Sequence, residues 1–475
     1  MLVIISDLHL GDGTTAESIP VSAFNLFAKR LRQDARFASM RDGKYSPIEE
    51  LDVILLGDIL DPIHSTRWFY PVGDQTNAKM TKPGNADYIR PWSDPTDEKY
   101  AQKLSEVTHA ILEENKKAME VMRKLAKGEF IEFDSSDDQG NRDSTNQNKI
   151  PLRVRFHYMV GNHDWYYHLK GEAFDNIRRE IIDTMGLSNP PSPFPSDLRK
   201  QDPNDPWERD QSPDIERLFS LYKVFARHGD LYDSFNFDRT SGRDVATLGD
   251  AFAMEVLNKY PEELKQIPGL DNDVIKKLRQ LTNIRPALAT TLWISGQIRE
   301  LTLSNKLNDV DQDQMKKIWD RLADEFLDLD FVRERDKSFQ LDAVDKLEAV
   351  VKISKLLSFE TIDAITLRLQ RKGKSGGDLS FAKHALQEPA FIDNTARYIV
   401  YGHTHHHETI PLDFDVIGGN QIYFNSGTWH TYFDLARKNP AEKKFIPYKA
   451  LTYITFYKEH EHDDRHFETW SGSYA

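Results

Sequence analysis

Cysteine is absent from all 475 residues. That excludes a disulfide framework and any thiolate-held zinc or iron–sulfur cluster. A metal in this chain must therefore be held by His, Asp, Glu or Asn. No apolar run approaches the roughly 20 residues that a helix needs to span a bilayer. Positive charge is also in deficit: 62 Lys and Arg stand against 76 Asp and Glu, for a formal net charge of −14. That balance opposes non-specific attraction to polyanions such as nucleic acid, although it leaves room for a locally positive cleft. The opening residues lack a basic stretch followed by a separate apolar one, so no signal peptide is expected. Together these absences predict a soluble, cytoplasmic protein with no transmembrane segment. A chain of this length can bury a large core, in one domain with insertions or in two.

What is present is a set of short β-rich runs, each followed closely by Gly or Asp. They are Leu2–Ile5, Val53–Leu56, Phe156–Val160 and Arg397–Tyr401. Runs of this kind read as buried strands of an α/β sheet, and ligands in open α/β sheets sit at strand C-terminal ends. Helical spacing over Phe24–Phe37 gives a β-α-β start. From Gln421 onward, Ile422–Asn425 and Leu451–Tyr457 read as strands of a second sheet. Arg67–Asp97 reads as a long loop, and Glu98–Lys127 as helical with Gly128 as its C-cap. The polar stretch Asp134–Lys149 is expected to be a mobile or disordered loop, and Asn189–Pro213 to be irregular. Val245 to about Leu386 is mostly helical in composition, with breaks near Pro261, Pro268, Pro286 and Lys372–Gly377. The expected organisation is a catalytic part over 1–240, a helical insertion or cap over 241–390, and a second catalytic part over 391–475.

Five motifs carry the chemistry: Asp7-Leu8-His9, Gly57-Asp58-Ile59-Leu60-Asp61, Gly161-Asn162-His163-Asp164, His228-Gly229-Asp230 and Gly402-His403-Thr404-His405. Each is weak alone. Together they offer carboxylates, imidazoles and one amide, the mixture that borderline divalent metals take. Asp7 and His9, like His403 and His405, lie two apart, and alternation along an extended chain would place each pair on one side. A carboxylate at Asp58 can bridge two ions through its two oxygens, and Asn162 offers a neutral carbonyl oxygen. Two divalent ions held by Asp7 and Asp58 plus neutral ligands, even with a bridging hydroxide, keep net positive charge for a phosphoryl group. His163, adjacent to a ligand position, is then the uncommitted group that could protonate a leaving oxygen or bind a phosphate oxygen.

The set resembles the calcineurin-like metallophosphoesterase superfamily, whose pattern is DxH, GDxxD, GNH(D/E), an isolated His, and GHxH. The motifs run in family order from residue 7 to residue 405. The resemblance implies a four-layer αββα sandwich with a large, mostly helical insertion. It implies that Asp7, His9, Asp58 and His405 hold a first metal, and that Asp58, Asn162, His228 and His403 hold a second. It gives His163 the catalytic role and a metal-bridging hydroxide the role of nucleophile. Manganese leads among the expected ions, followed by iron, zinc, nickel or magnesium; so many imidazoles favour a transition metal over magnesium. The opening Ser6-Asp7-Leu8-His9-Leu10-Gly11 is similar to that of the UDP-diacylglucosamine hydrolase branch and of the DNA-repair nuclease branch. About 175 residues separate His228 from His403, far more than an ordinary connection, so substrate choice does not carry over.

The expectation is a dinuclear-metal phosphohydrolase acting on a phosphodiester or pyrophosphate bond of an unidentified phosphorylated substrate. A nuclease of the same superfamily is the alternative enzyme, and a non-catalytic scaffold of the same fold the alternative outside enzymes. Several nearby residues have two readings. Asp61 either orients a loop or caps a turn before Pro62; Asp164 either orients His163 or caps a helix start. His64 and Arg67 either touch phosphate or form an ordinary loop pair. His406 and His407 read as solvated surface histidines, Trp68-Phe69-Tyr70 as core packing, and Asn425-Ser426-Gly427-Thr428 as structural support. Arg371, Lys372 and Lys374 read as a solvated loop.

Overall fold

The run Leu2–Ile5 forms strand β1, and all four of its side chains are excluded from solvent. A continuous apolar run is what a strand covered on both faces requires. Val3 and Ile5 enter one hydrophobic cluster, whereas Leu2 and Ile4 enter another. The same division holds along β2 (Leu51–Leu56) and β3 (Val154–Met159). Val53, Leu55 and Phe156 join Val3, and Ile54, Leu56 and Met159 join Leu2. The structure is a computed structural model that describes the chain except for residues 16, 74–78, 138, 146–148, 285–289, 337–380, 416–418, 436–443 and 475.

The remaining principal strands are β4 (Val224–Ala226), β5 (Tyr398–Tyr401), β6 (His407–Asp415), β7 (Gly419–Ser426), β8 (Ala450–Phe456) and β9 (Phe467–Ser473). They make an α/β fold with two main sheets, ordered β9-β8-β1-β2-β3 and β4-β5-β7-β6. β1, β2 and β3 run parallel, as do β4, β5 and β7. One face of the first sheet packs on the second, with Tyr398 and Phe424 against Phe456 at ring-centroid separations of 5.3 and 5.7 Å. The other face packs on helices α1 (Val21–Ala38), α2 (Glu98–Glu114), α3 (Lys116–Lys127) and α4 (Glu172–Met185). In α1 the buried Ala23, Phe24, Phe27, Ala28, Leu31, Ala35 and Ala38 recur at three- and four-residue steps, the stripe that one helix face buries. Helix α5 (Pro213–Tyr222) packs Ile215, Leu218, Phe219 and Tyr222 into the cluster shared by the two sheets.

The structure corrects several expectations. Leu451–Tyr457 does not extend a second sheet: β8 lies antiparallel beside β1, with Ile4 opposite Ile454. The region Glu98–Lys127 is two helices, because the Asn115 side chain donates to the carbonyls of Ile111 and Gly11, both at 2.8 Å. Gly128 does cap α3, with φ of 78°. Within Asp134–Lys149, Ser135–Ser136 pairs with Arg142–Asp143, and the Asp134 carboxylate takes Arg142 and Lys149. Residues 371, 372, 374 and 286 lie outside the described residues.

From Leu248 the described chain is largely helical and has its own apolar cluster, including Tyr260, Trp293, Trp319 and Phe326. Thr247 and Asp250 form a reciprocal capping box at its start. This segment is fastened to the first sheet's loops by buried contacts. Asn258 donates to the Ile63 carbonyl at 2.7 Å, and the buried Arg90 pairs with Glu255 at 2.8 Å. Among the described residues no helix is long and apolar enough to cross a membrane.

Candidate metal centre

All five motifs follow the C-terminal ends of parallel strands: β1, β2 and β3 in one sheet, β4 and β5 in the other. Backbone hydrogen bonds zip the first two together, from Asp7 N to Gly57 O at 3.1 Å and from His9 N to Asp58 O at 2.9 Å. The sheets meet at Asp7, whose Oδ2 accepts from the His403 backbone at 3.0 Å. Thr428 donates to the Asp7 carbonyl at 2.5 Å and Asn425 to the Gly402 carbonyl at 2.7 Å, the supporting role expected of the Asn425–Thr428 turn.

Asp7, His9, Asp58, His403 and His405 all have positive φ, between 47° and 66°. This corrects the expectation of an extended chain. The paired residues converge because each sits in the left-handed region, which is uncommon and costly for non-glycine residues. Strain of this kind persists only where the surroundings impose it, and here the imposed geometry aims ligand atoms inward. Glycine is required beside them for room. A Cβ on Gly161 would lie 2.4 Å from Asp58 Oδ1, and one on Gly57 would lie 2.6 Å from His228 Nδ1.

Three clusters of potential ligands meet here, one of them His9, Asp61, His64 and His163. Ligand atoms of Asp7, His9 and His405 lie within 4.8 Å of one another, as do those of Asp58, His228 and His403. Asn162 joins the second group, its Oδ1 lying 3.2 Å from His228 Nε2 and 3.0 Å from His403 Nδ1. Asp58 reaches both, with Oδ2 at 3.2 Å from His228 Nε2 and 3.8 Å from His9 Nε2. The structure thus brings together all seven ligand positions read from the sequence.

The orientation of the rings tests whether these residues suit a cation. His228 Nδ1 lies 2.9 Å from the Leu56 carbonyl, which accepts only, so Nδ1 carries a proton and Nε2 is the nitrogen turned towards Asp58 and Asn162. His9 Nδ1 lies 2.9 Å from Asp61 Oδ2, and its Nε2 faces His405 Nε2 at 3.0 Å. At that separation either one ring donates to the other or a cation lies between the two nitrogens. Such backing of a histidine's far nitrogen by a carbonyl or carboxylate is what orients metal-binding imidazoles. His403 follows suit, with Nε2 3.2 Å from Asp233 Oδ2. The electrostatics agree. Burial lowers the pKa of His9 and His228, but Asp61 and Asp7 outweigh it at His9 and carry it up to about 9. Asp58 and Asp7 carry His228 up to about 10. Burial raises Asp7 and Asp58, and the surrounding imidazoles, His228 foremost, hold both well below the usual carboxylate range. A site that draws in this much positive charge fits divalent cations.

Asp61 is more than a loop residue. Its buried carboxylate takes His9 Nδ1 and His64 Nδ1 on Oδ2, and His163 Nδ1 and the His64 backbone on Oδ1, at 2.8–3.1 Å. Burial pushes its pKa up, and His64 and His163 hold it well below the normal range. His163 lies beside the ligands, its backbone donating to Asp58 Oδ1 at 2.8 Å and its ring 4.5 Å from that of His9. Asp164 stands at the N-cap position of the 3-10 helix Trp165–His168, but its side chain makes no cap bond there and does not bond His163. It accepts from Ile59 N, Gly161 N and the Tyr158 hydroxyl, tying the second motif to the third. Burial, with Asp58 second, raises its pKa to about 6.

Arg67 pairs with Asp12 at 3.0 Å, and His64 packs against His163 at 4.9 Å. His406 is exposed, as expected. His407 is not: it opens β6, half-buried, and burial lowers its pKa. Trp68 and Phe69 are fully buried. Sequence reasoning missed Asp233 and Arg243. Arg243 donates to Asp230 Oδ1 at 2.9 Å and to the Gly161 carbonyl at 3.1 Å, bracing the third motif against the fourth. Asp233 stands five positions after a motif histidine, a cue that was available; Arg243 had none. Neither protein-family models nor curated proteins match the chain.

Proposed function

We propose that this chain is a dinuclear-metal-dependent phosphohydrolase of the calcineurin-like metallophosphoesterase type, with the αββα sandwich of that superfamily, acting on a phosphodiester or pyrophosphate bond. The observation that carries the reading is the convergence of seven ligand side chains from five loops, split into two groups that share Asp58. Asp7, His9, Asp58 and His405 would hold one ion, and Asp58, Asn162, His228 and His403 the other. Two divalent ions so held supply Lewis acidity, an acidified water as nucleophile, and charge to match a phosphoryl group in its transition state.

The chain's own residues do the rest. Leu56 O, Asp61 and Asp233 fix which nitrogen of His228, His9 and His403 is turned inward. Asp61 holds the Nδ1 proton of His163, so the ring's other nitrogen is the one available to a substrate oxygen. Burial of the ligands, all at 5 % exposure or less apart from His403, keeps bulk water from screening these charges.

The test is hydrolysis of bis-p-nitrophenyl phosphate by manganese-loaded and metal-stripped protein. The expected result is metal-dependent turnover, with His163→Ala keeping manganese affinity while kcat falls by about 10²–10⁴-fold. Absence of metal-dependent turnover in the wild type refutes the enzyme reading, and unchanged turnover in His163→Ala removes that residue from the chemistry.

A further inference from the structure

The group formed by Asp58, Asn162, His228 and His403 has one carboxylate, and that carboxylate also reaches His9. An amide oxygen and imidazoles supply the rest, so the hold of this group on a cation depends on how its donors are placed. Two of them, His228 and His403, stand on loops that a single buried side chain ties together. That side chain is Glu388, at 0 % exposure. Its Oε1 accepts from the Tyr232 hydroxyl at 2.6 Å and from the Tyr401 hydroxyl at 2.7 Å. Its Oε2 accepts from the Arg227 guanidinium at 3.2 Å, and Arg227 Nε lies 3.0 Å from Oε1. Each partner adjoins the metal centre in the chain. Arg227 precedes His228. Tyr232 precedes Asp233, whose Oδ2 lies behind His403 Nε2. Tyr401 ends β5, two residues before His403. Glu388 itself belongs to the return end of the helical segment, where it precedes the short helix Pro389–Ile392. The same stretch lays two more rings on these loops. His384 stacks on Tyr232 at 4.2 Å and 9°, and Phe381 lies 6.0 Å from the His403 ring.

We propose that Glu388 is a positioning residue for the second ion, holding Arg227, Tyr232 and Tyr401 so that His228 and His403 converge with Asp58 and Asn162. The inference rests on the dinuclear reading and adds to it a task for the return end of the helical segment. A buried ion pair contributes little stability beyond what apolar packing would give, so what this one supplies is registry between two loops. The two phenols fix the rotation of the carboxylate, and the Arg227 fork fixes its plane. Arg227 is held in its turn, donating to Asp197 Oδ1 at 3.0 Å and to the Arg199 carbonyl at 2.7 Å, so it cannot follow a carboxylate that withdraws. Asp7 and His9, on the loop after β1, are secured instead by backbone bonds to the second motif. Loss of Glu388 should therefore spare the first ion.

Manganese titration of the full chain by calorimetry, joined to electron paramagnetic resonance, tests this without turnover. Two manganese ions sharing Asp58 are spin-coupled, whereas one ion alone is not. Glu388→Gln keeps the side chain's shape and removes the charge that faces Arg227. The expected result is an affinity loss of about tenfold at one ion, with the other within about twofold of wild type, and a coupled signal that appears only at higher manganese. A merely structural role would weaken both ions together. His403→Ala, which removes a ligand of the second ion, identifies the ion concerned: adding Glu388→Gln to it should change the remaining affinity no further, and a further loss there overturns the proposal. So does folded Glu388→Gln protein with wild-type affinity at both ions or with equal loss at both. Tyr401→Phe removes one donor and keeps the ion pair, so it decides by the same criterion if Glu388→Gln fails to fold, with an expected loss of about threefold at the same ion. These outcomes leave the hydrolase reading intact. If the wild type takes up no second manganese, the dinuclear reading falls and this proposal falls with it.

Discussion

Replacing Asp61 by Asn changes one atom and should disable the centre without touching a ligand. An ionised carboxylate only accepts, so the three ring nitrogens it meets, on His9, His64 and His163, must each carry a proton. The two oxygens share four contacts, two apiece. An amide keeps one oxygen and puts an NH₂ where the other was. Whichever way it turns, two former donors then face a donor. Each lost bond to a charged acceptor is worth about 1.5–3 kcal/mol, so a destabilisation of about 3–6 kcal/mol is expected if the rings stay as they are. The alternative relief is a tautomer change. If His9 moves its proton to Nε2, the lone pair facing His405 is gone and with it a metal ligand. Disruption of such a backing partner costs about 10–100-fold in metal affinity. Calorimetric titration with manganese, alongside thermal unfolding of the metal-free protein, measures both routes. Asp61→Asn protein that binds manganese within twofold of wild type and unfolds at the same temperature would refute the assigned relay.

Three further outcomes follow from the same geometry. Gly161→Ala brings a Cβ to within 2.4 Å of Asp58 Oδ1 and 2.8 Å of the His228 ring. The fold should persist by far-ultraviolet circular dichroism while manganese affinity falls at least tenfold, and retained affinity would show that the loop yields instead. Manganese at about 100 times its dissociation constant should stabilise the wild type by about 2.7 kcal/mol, and a chelator should reverse this; no shift in melting temperature contradicts a preformed site. The third concerns pH. Burial lowers the pKa of His168, but Asp210 at 2.9 Å and Asp244 outweigh it and carry it from 6.5 up to about 9. A raised folded-state value means the stabilisation is complete below pH 6.5 and is lost as pH rises through 9. Its size is about 2 kcal/mol, after a discount for the half-exposed Asp244. The stability gap between wild type and His168→Gln in urea should therefore be widest at pH 6 and nearly closed at pH 10; a gap independent of pH contradicts the pairing.

Much of this centre was legible in the chain because its determinants are local. Leu2–Ile5, Val53–Leu56 and Phe156–Val160 are short, mostly apolar runs, which identifies them as covered strands, and the residues that follow them carry the candidate ligands. The reason the paired ligands converge was not legible. Alternation on an extended strand predicted the right pairs by the wrong route, since Asp7, His9, His403 and His405 adopt left-handed backbone that no period-two pattern encodes. Nor did composition reveal Arg243, whose guanidinium finds Asp230 and the Gly161 carbonyl only after the chain has folded back.

The sequence by itself determined the candidate ligand types, their order, and their delivery at strand ends, because strand formation and the turn after it depend on neighbours a few residues away. Only the tertiary structure decided that β8 returns from the far end of the chain to lie beside β1, and which nitrogen of each histidine faces inward. It also decided that Glu388 meets Arg227 and Tyr232. These are contacts between residues far apart in the chain, from 52 positions for His9 and Asp61 upward, set by hydrogen-bond partners and packing that no local pattern records.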